Sequence, residues 1–137
     1  MSAELTGSCG CGAVKFEISE PLTAAGYCHC TRCQRRTGGA ASATAVIPRG
    51  SLTILTGEDE LGTWKPEDGF GKIFCRQCGS AVFGSNEEGE ITLVRLGVID
   101  GDPGVRPQAR QFVAYAASWE DIPDDGLPRF DEAFPRR

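Results

Sequence analysis

Phe74-Cys75-Arg76-Gln77-Cys78-Gly79 sets two cysteines three positions apart, with a glycine directly behind the second. A Cys-x-x-Cys turn points both sulfurs inward, and glycine in that place tolerates the positive φ such a knuckle often needs. Lys72-Ile73-Phe74 before it and Ala81-Val82-Phe83 after it are β-prone, so Cys75 to Gly79 is expected at a hairpin tip. A redox role for the pair would call for a βαβ setting. The surrounding chain has no such pattern, and the pair reads as half of a metal site.

Five more cysteines fall as Cys9-x-Cys11 and Cys28-x-Cys30-x-x-Cys33. In an extended strand, residues i and i+2 face the same side, roughly 6.6 Å apart. Convergence of the side chains or a local turn must then bring their sulfurs to a metal at about 2.3 Å each. Gly10 and Gly12 make the first pair pliable. Seven thiols cannot all pair within one chain, and Met1-Ser2-Ala3-Glu4 lacks the basic and apolar regions of a signal peptide. A cytoplasmic, reducing setting without stable disulfides is therefore expected.

A structural zinc takes four protein ligands, and a catalytic zinc takes three with one position open. Seven thiolates divide accordingly. Cys9, Cys11, Cys75 and Cys78 would close one site, and Cys28, Cys30 and Cys33 would form an open one. A second arrangement, which sequence alone leaves open, closes a site from Cys28, Cys30 or Cys33 with Cys75 and Cys78. All-thiolate sets favour zinc or iron–sulfur clusters, and these spacings do not match the ferredoxin patterns. Zinc is the expected metal.

The 137 residues suit a single domain, 1–137. Eighteen glycines and eight prolines, spread along the chain, break it into short elements. Ala13 to Ile18 alternates apolar and polar residues and reads as a strand. Further strands are expected over 42–47, 52–55, 61–64, 72–74, 81–83, 91–96 and 111–115. Residues 28–39 read as a short helix or turn, and the acidic tail from Ser118 as a packed irregular cover. The expected fold is mainly β: a small domain of short antiparallel strands stapled by zinc. A net charge of −5 argues against nucleic-acid binding through a general basic field. No apolar run approaches the roughly 20 residues of a membrane span.

Taken together, Gly7-Ser8-Cys9-Gly10-Cys11-Gly12, Tyr27-Cys28-His29-Cys30-Thr31-Arg32-Cys33-Gln34-Arg35-Arg36-Thr37-Gly38 and Phe74-Cys75-Arg76-Gln77-Cys78-Gly79-Ser80 resemble a known family. It is that of the glutathione-dependent formaldehyde-activating enzymes, or S-(hydroxymethyl)glutathione synthases, which includes the centromere protein V relatives. Trp119 and Asp125-Gly126-Leu127-Pro128 add a weaker match. The resemblance implies a β-rich fold like that of the Rab-exchange zinc proteins. It implies structural zinc at Cys9, Cys11, Cys75 and Cys78, and labile zinc at Cys28, Cys30 and Cys33. It also implies carbon–sulfur lyase chemistry on glutathione and a small aldehyde, formaldehyde or a relative. Family members often carry His where Arg110 stands.

Glutathione has two carboxylates, so cationic or N–H donors are expected nearby. Arg32, Arg35 and Arg36, with Thr37, Gly38 and Gly39, follow the ligands directly and are the candidates. His29 is a candidate for proton transfer or for support of the metal ligands, although an extended segment would point it away from the metal. Trp64, Phe70 and Trp119 are candidates to wall a pocket. The competing reading is a non-catalytic zinc module that binds protein partners.

Overall fold

The computed structural model describes residues 4–135. Ten strands form two sheets. β1 (Leu5–Ser8), β2 (Lys15–Ile18) and β5 (Leu52–Thr56) make a small antiparallel sheet in the order β1-β2-β5. The second sheet has seven strands in the order β10-β3-β4-β9-β8-β7-β6. These are β3 (Ala25–Cys28), β4 (Ser42–Val46), β6 (Leu61–Trp64), β7 (Gly71–Cys75), β8 (Ala81–Ser85), β9 (Ile91–Arg95) and β10 (Arg110–Gln111). Every pairing is antiparallel except β10 with β3. The fold is mainly β.

Alternation along β2 turns Phe16 and Ile18 inward and leaves Lys15 exposed. They join Val82, Phe83 and Val94 of the large sheet in the buried core. Phe16 and Phe83 meet edge to face, with ring centroids 5.0 Å apart. Cys9 and Cys75 belong to this same core, so the first cysteine cluster grows directly out of it.

The expected hairpin tip is present. β7 and β8 pair from Gly71↔Ser85 to Phe74↔Ala81, and Gly79 takes φ 79° as its N–H donates to the Cys75 carbonyl at 2.7 Å. The expected helix or turn is α1 (Thr31–Thr37), the longest helix among the described residues. No helix of the described residues is long and apolar enough to cross a membrane.

The strand expected over 111–115 is corrected. Only Arg110 and Gln111 pair, in parallel with Tyr27 and Cys28. Phe112 then adopts φ 57°, and Val113–Tyr115 forms a 3-10 turn. The C-terminal segment supplies the hydrogen bonds that a neighbouring strand would have made. Phe112 N–H donates to the Glu132 carbonyl at 2.9 Å and Val113 N–H to the Phe130 carbonyl at 3.0 Å.

Candidate metal centre and substrate cleft

The turn between β1 and β2 carries Cys9 and Cys11, and the β7–β8 tip carries Cys75 and Cys78. All four sulfurs lie within 4.8 Å of one another. Cys9 Sγ is 3.7 Å from Cys11 Sγ, and Cys11 Sγ is 3.9 Å from Cys75 Sγ. A regular tetrahedron with zinc–sulfur bonds of about 2.3 Å has edges of about 3.8 Å. The donor chemistry and the spacing both fit zinc. All seven cysteines are free thiols, and these separations far exceed a sulfur–sulfur bond.

Local hydrogen bonds fix this knuckle. Val14 N–H donates to Cys9 Sγ at 3.3 Å, and Gly10 N–H donates to Ser80 Oγ at 2.9 Å. Ser80 Oγ lies 3.2 Å from Cys78 Sγ. The Ser80 hydroxyl, followed by backbone N–H groups, brings the Cys78 thiol down to about 5.

The second cluster is built at the junction of β3 and α1. Cys28 ends β3, Cys30 caps α1 and Cys33 lies in its first turn. Cys30 Sγ accepts the Cys33 N–H at 3.2 Å, a sulfur in the place where a cap oxygen commonly sits. The three sulfurs lie within 4.8 Å of one another. Cys75 and Cys78 group with Cys9 and Cys11, not with these three, so the arrangement that mixed the clusters is not the one formed. Hydrogen bonding from Cys28 pulls the Cys33 thiol down to about 5 against burial, with the Ser42 hydroxyl and the Arg95 guanidinium assisting. The same pairing, followed by burial, pushes the Cys28 thiol strongly up. A bound cation would relieve that conflict by accepting both as thiolates.

His29 is fully buried and does not join the sulfurs. Its Nδ1 is 2.9 Å from Glu120 Oε1, and its Nε2 is 3.2 Å from Arg110 Nη1. A guanidinium only donates, so Nε2 accepts and the Nδ1–H donates to Glu120. Arg110 is itself held by Asp125 at 2.6 Å and by the Tyr27 ring, 4.3 Å from its guanidinium carbon. With both nitrogens engaged by Glu120 and Arg110, His29 is placed to anchor the Cys28–Cys30 segment.

Beside the second cluster opens a cleft of about 470 Å³. Cys28, Cys33, Ser42, Lys72, Arg95 and Phe70 are among its lining residues. The arginines expected to face it are elsewhere. Arg32, Arg35 and Arg36 border a separate hollow with Thr31 and Trp64. Arg32 pairs with Asp68 at 2.7 Å, and the Arg36 guanidinium lies 5.8 Å from the Phe74 ring. Thr37 Oγ1 donates to the Cys33 carbonyl at 3.0 Å, and Gly38 ends α1 at φ 68°. Trp119 is 69% exposed and lines neither space.

Lys72 and Arg95 are the cations that the sequence reading missed. Each is the only charged residue in a short, largely apolar strand, Gly71–Cys75 and Ile91–Arg95. That isolation is the signal that could have marked them.

The sequence profile of the glutathione-dependent formaldehyde-activating enzymes matches residues 4–115. The chain belongs to that family. A Halomonas elongata protein named for the family is 29% identical over 85 residues, covering 58% of this chain and 54% of that one. An Aspergillus terreus protein of the same name is 33% identical over 60 residues, covering 44% and 31%. The chain thus spans about half and a third of the lengths of these two relatives. A crystal structure of a Rhodobacter sphaeroides protein superposes with a TM-score of 0.55 at 26% identity, covering 91% of this chain and 98% of the other. The stretch matched by the family profile contains both sulfur clusters and both cleft cations.

Proposed function

We propose that this chain is a zinc-dependent carbon–sulfur lyase that interconverts S-(hydroxymethyl)glutathione with glutathione and formaldehyde, or handles a closely related glutathione adduct. One observation carries the reading: three sulfurs converge where a cleft opens, while four others cluster apart from it. In this reading Cys9, Cys11, Cys75 and Cys78 hold a structural zinc, and Cys28, Cys30 and Cys33 hold an exchangeable one. Both sites belong to one cytoplasmic domain, since reducing conditions keep such thiols free.

Zinc bound by three thiolates would keep an incoming thiol as thiolate at neutral pH. The chain's own residues do the rest. Cys28, Cys30 and Cys33 fix where the glutathione sulfur arrives. Lys72 and Arg95 favour its negative charge. The apolar side chains of the cleft limit water around the aldehyde carbon. In the forward direction the sulfur lone pair attacks that carbon, the C–S bond forms, and the carbonyl oxygen takes the electron pair and then a proton. The reverse step breaks the same bond and returns both electrons to sulfur. His29 contributes by holding the ligand segment in place.

Exchange between glutathione, formaldehyde and their adduct can be followed by NMR line shape or magnetisation transfer. The zinc-loaded protein is expected to speed exchange above the uncatalysed rate, and Cys33→Ser to return it to background. Unchanged exchange with the loaded wild type would remove the proposal.

A further inference from the structure

Lys72 on β7 and Arg95 on β9 are separated by the single intervening strand β8, Lys72 being in register with Gly84 and Leu93 and Arg95 standing two residues further along β9, and both line the cleft beside Cys28 and Cys33. Lys72 is 8% exposed. Among the described residues its ammonium has no ion pair or hydrogen bond, and the Phe70 ring centroid lies 4.8 Å away. Arg95 donates from Nη1 to Thr44 Oγ1 at 2.8 Å, while its Nε is buried with no partner. No Asp or Glu lines the cleft among the described residues. The acid at the rim, Asp68, is held by Arg32.

A buried ammonium and a half-buried guanidinium that line one cleft without a carboxylate are costly unless an anion joins them. The sulfur cluster answers only part of this need. Three thiolates and one zinc ion sum to a charge of −1, against +2 from Lys72 and Arg95. The thiolate would stay at the sulfur cluster, so a carboxylate on the same molecule is the anion left to reach the Lys72 ammonium, which has no ion pair or hydrogen bond of its own among the described residues. Small or apolar residues such as Ala24, Ala25, Val46 and Leu93 also line the cleft, and they suit a methylene chain.

We propose that Lys72 and Arg95 form a carboxylate subsite that restricts the cleft to thiols, and thiol adducts, bearing a carboxylate. This rests on the reading of the Cys28, Cys30 and Cys33 cluster as the thiol site. It assigns substrate orientation to β7 and β9 instead of to the arginines of α1.

S-methylglutathione keeps both carboxylates and has no free thiol, so its binding isolates the subsite. Calorimetry with the zinc-loaded protein should give at least tenfold weaker binding for Lys72→Met and for Arg95→Met. Arg35→Met, outside the cleft, should stay within twofold of wild type. Lys72→Arg should recover most of the loss, which separates charge from packing. The diethyl ester should bind wild type as weakly as the acid binds the Met variants. Met variants within twofold of wild type, an ester that binds like the acid, or no binding to wild type would each overturn the subsite. The parent reading has its own readout: glutathione should alter the sulfur-to-metal absorption of the cobalt(II)-loaded protein. A cobalt response that persists while the subsite test fails leaves the thiol site standing. A missing response removes both.

Discussion

Cys28 and Cys33 show how one thiol sets the state of another. The Cys28 hydrogen bond keeps Cys33 low, at about 5, and the reciprocal effect pushes Cys28 up. In the metal-free protein Cys33 is therefore the more acidic of the two and Cys28 the one that holds its proton. Zinc needs both as thiolates, so loading the second site releases at least one proton and its affinity rises with pH. Competition with a chromophoric chelator at pH 6, 7 and 8 should show at least about tenfold tighter binding per pH unit. A flat profile would contradict the paired titration. Arg110 offers a second test at this scale. Arg110→Met removes the donor to His29 and the partner of Asp125, so it should lower the urea midpoint and speed zinc loss from the second site. Unchanged zinc release would mean that His29 does not anchor its neighbours. The two sulfur clusters were legible from motif spacing and from the count of seven, because each cysteine has a partner two or three residues away in sequence. Lys72 and Arg95 were not, because they come together only through strand pairing.

At the scale of elements, two kinds of signal translated well. The period-two pattern of Lys15–Ile18 gave a strand with Phe16 and Ile18 inside, and the Cys-x-x-Cys-Gly knuckle gave a hairpin tip. Elements without a local pattern were silent. Leu5–Ser8 and Ala25–Cys28 are strands because neighbouring strands accept them, not because their residues alternate. Residues 111–115 have β-forming composition, yet the C-terminal segment supplies their backbone partners and the strand stops at Gln111. Core packing gives the clearest prediction here. Phe16 is fully buried against Phe83 and closes the two sheets on each other. Phe16→Ala should cost about 3–5 kcal/mol in denaturant unfolding, by lost transfer energy and a residual cavity. A loss well under 1 kcal/mol would show that the sheets are not joined through this contact.

Across the whole molecule, the two sulfur clusters occupy different mechanical positions. Cys9, Cys11, Cys75 and Cys78 bridge the β1–β2 turn and the β7–β8 tip, with Cys9 and Cys75 inside the core. On the proposed reading, metal there would tie the small sheet to the large one and contribute folding free energy. Cys28 and Cys33 border the cleft, and with Cys30 they lie half-buried at the junction of β3 and α1, so on the proposed reading metal there would exchange without opening the core. Zinc content per chain, measured by mass spectrometry after brief chelation, tests this division most directly. The wild type should carry two zinc ions and keep one after chelation with its fold intact. Cys33→Ser should carry one and stay folded, whereas Cys78→Ser should fail to fold. A Cys33→Ser protein that unfolds, or that still binds two zinc ions, would contradict the account.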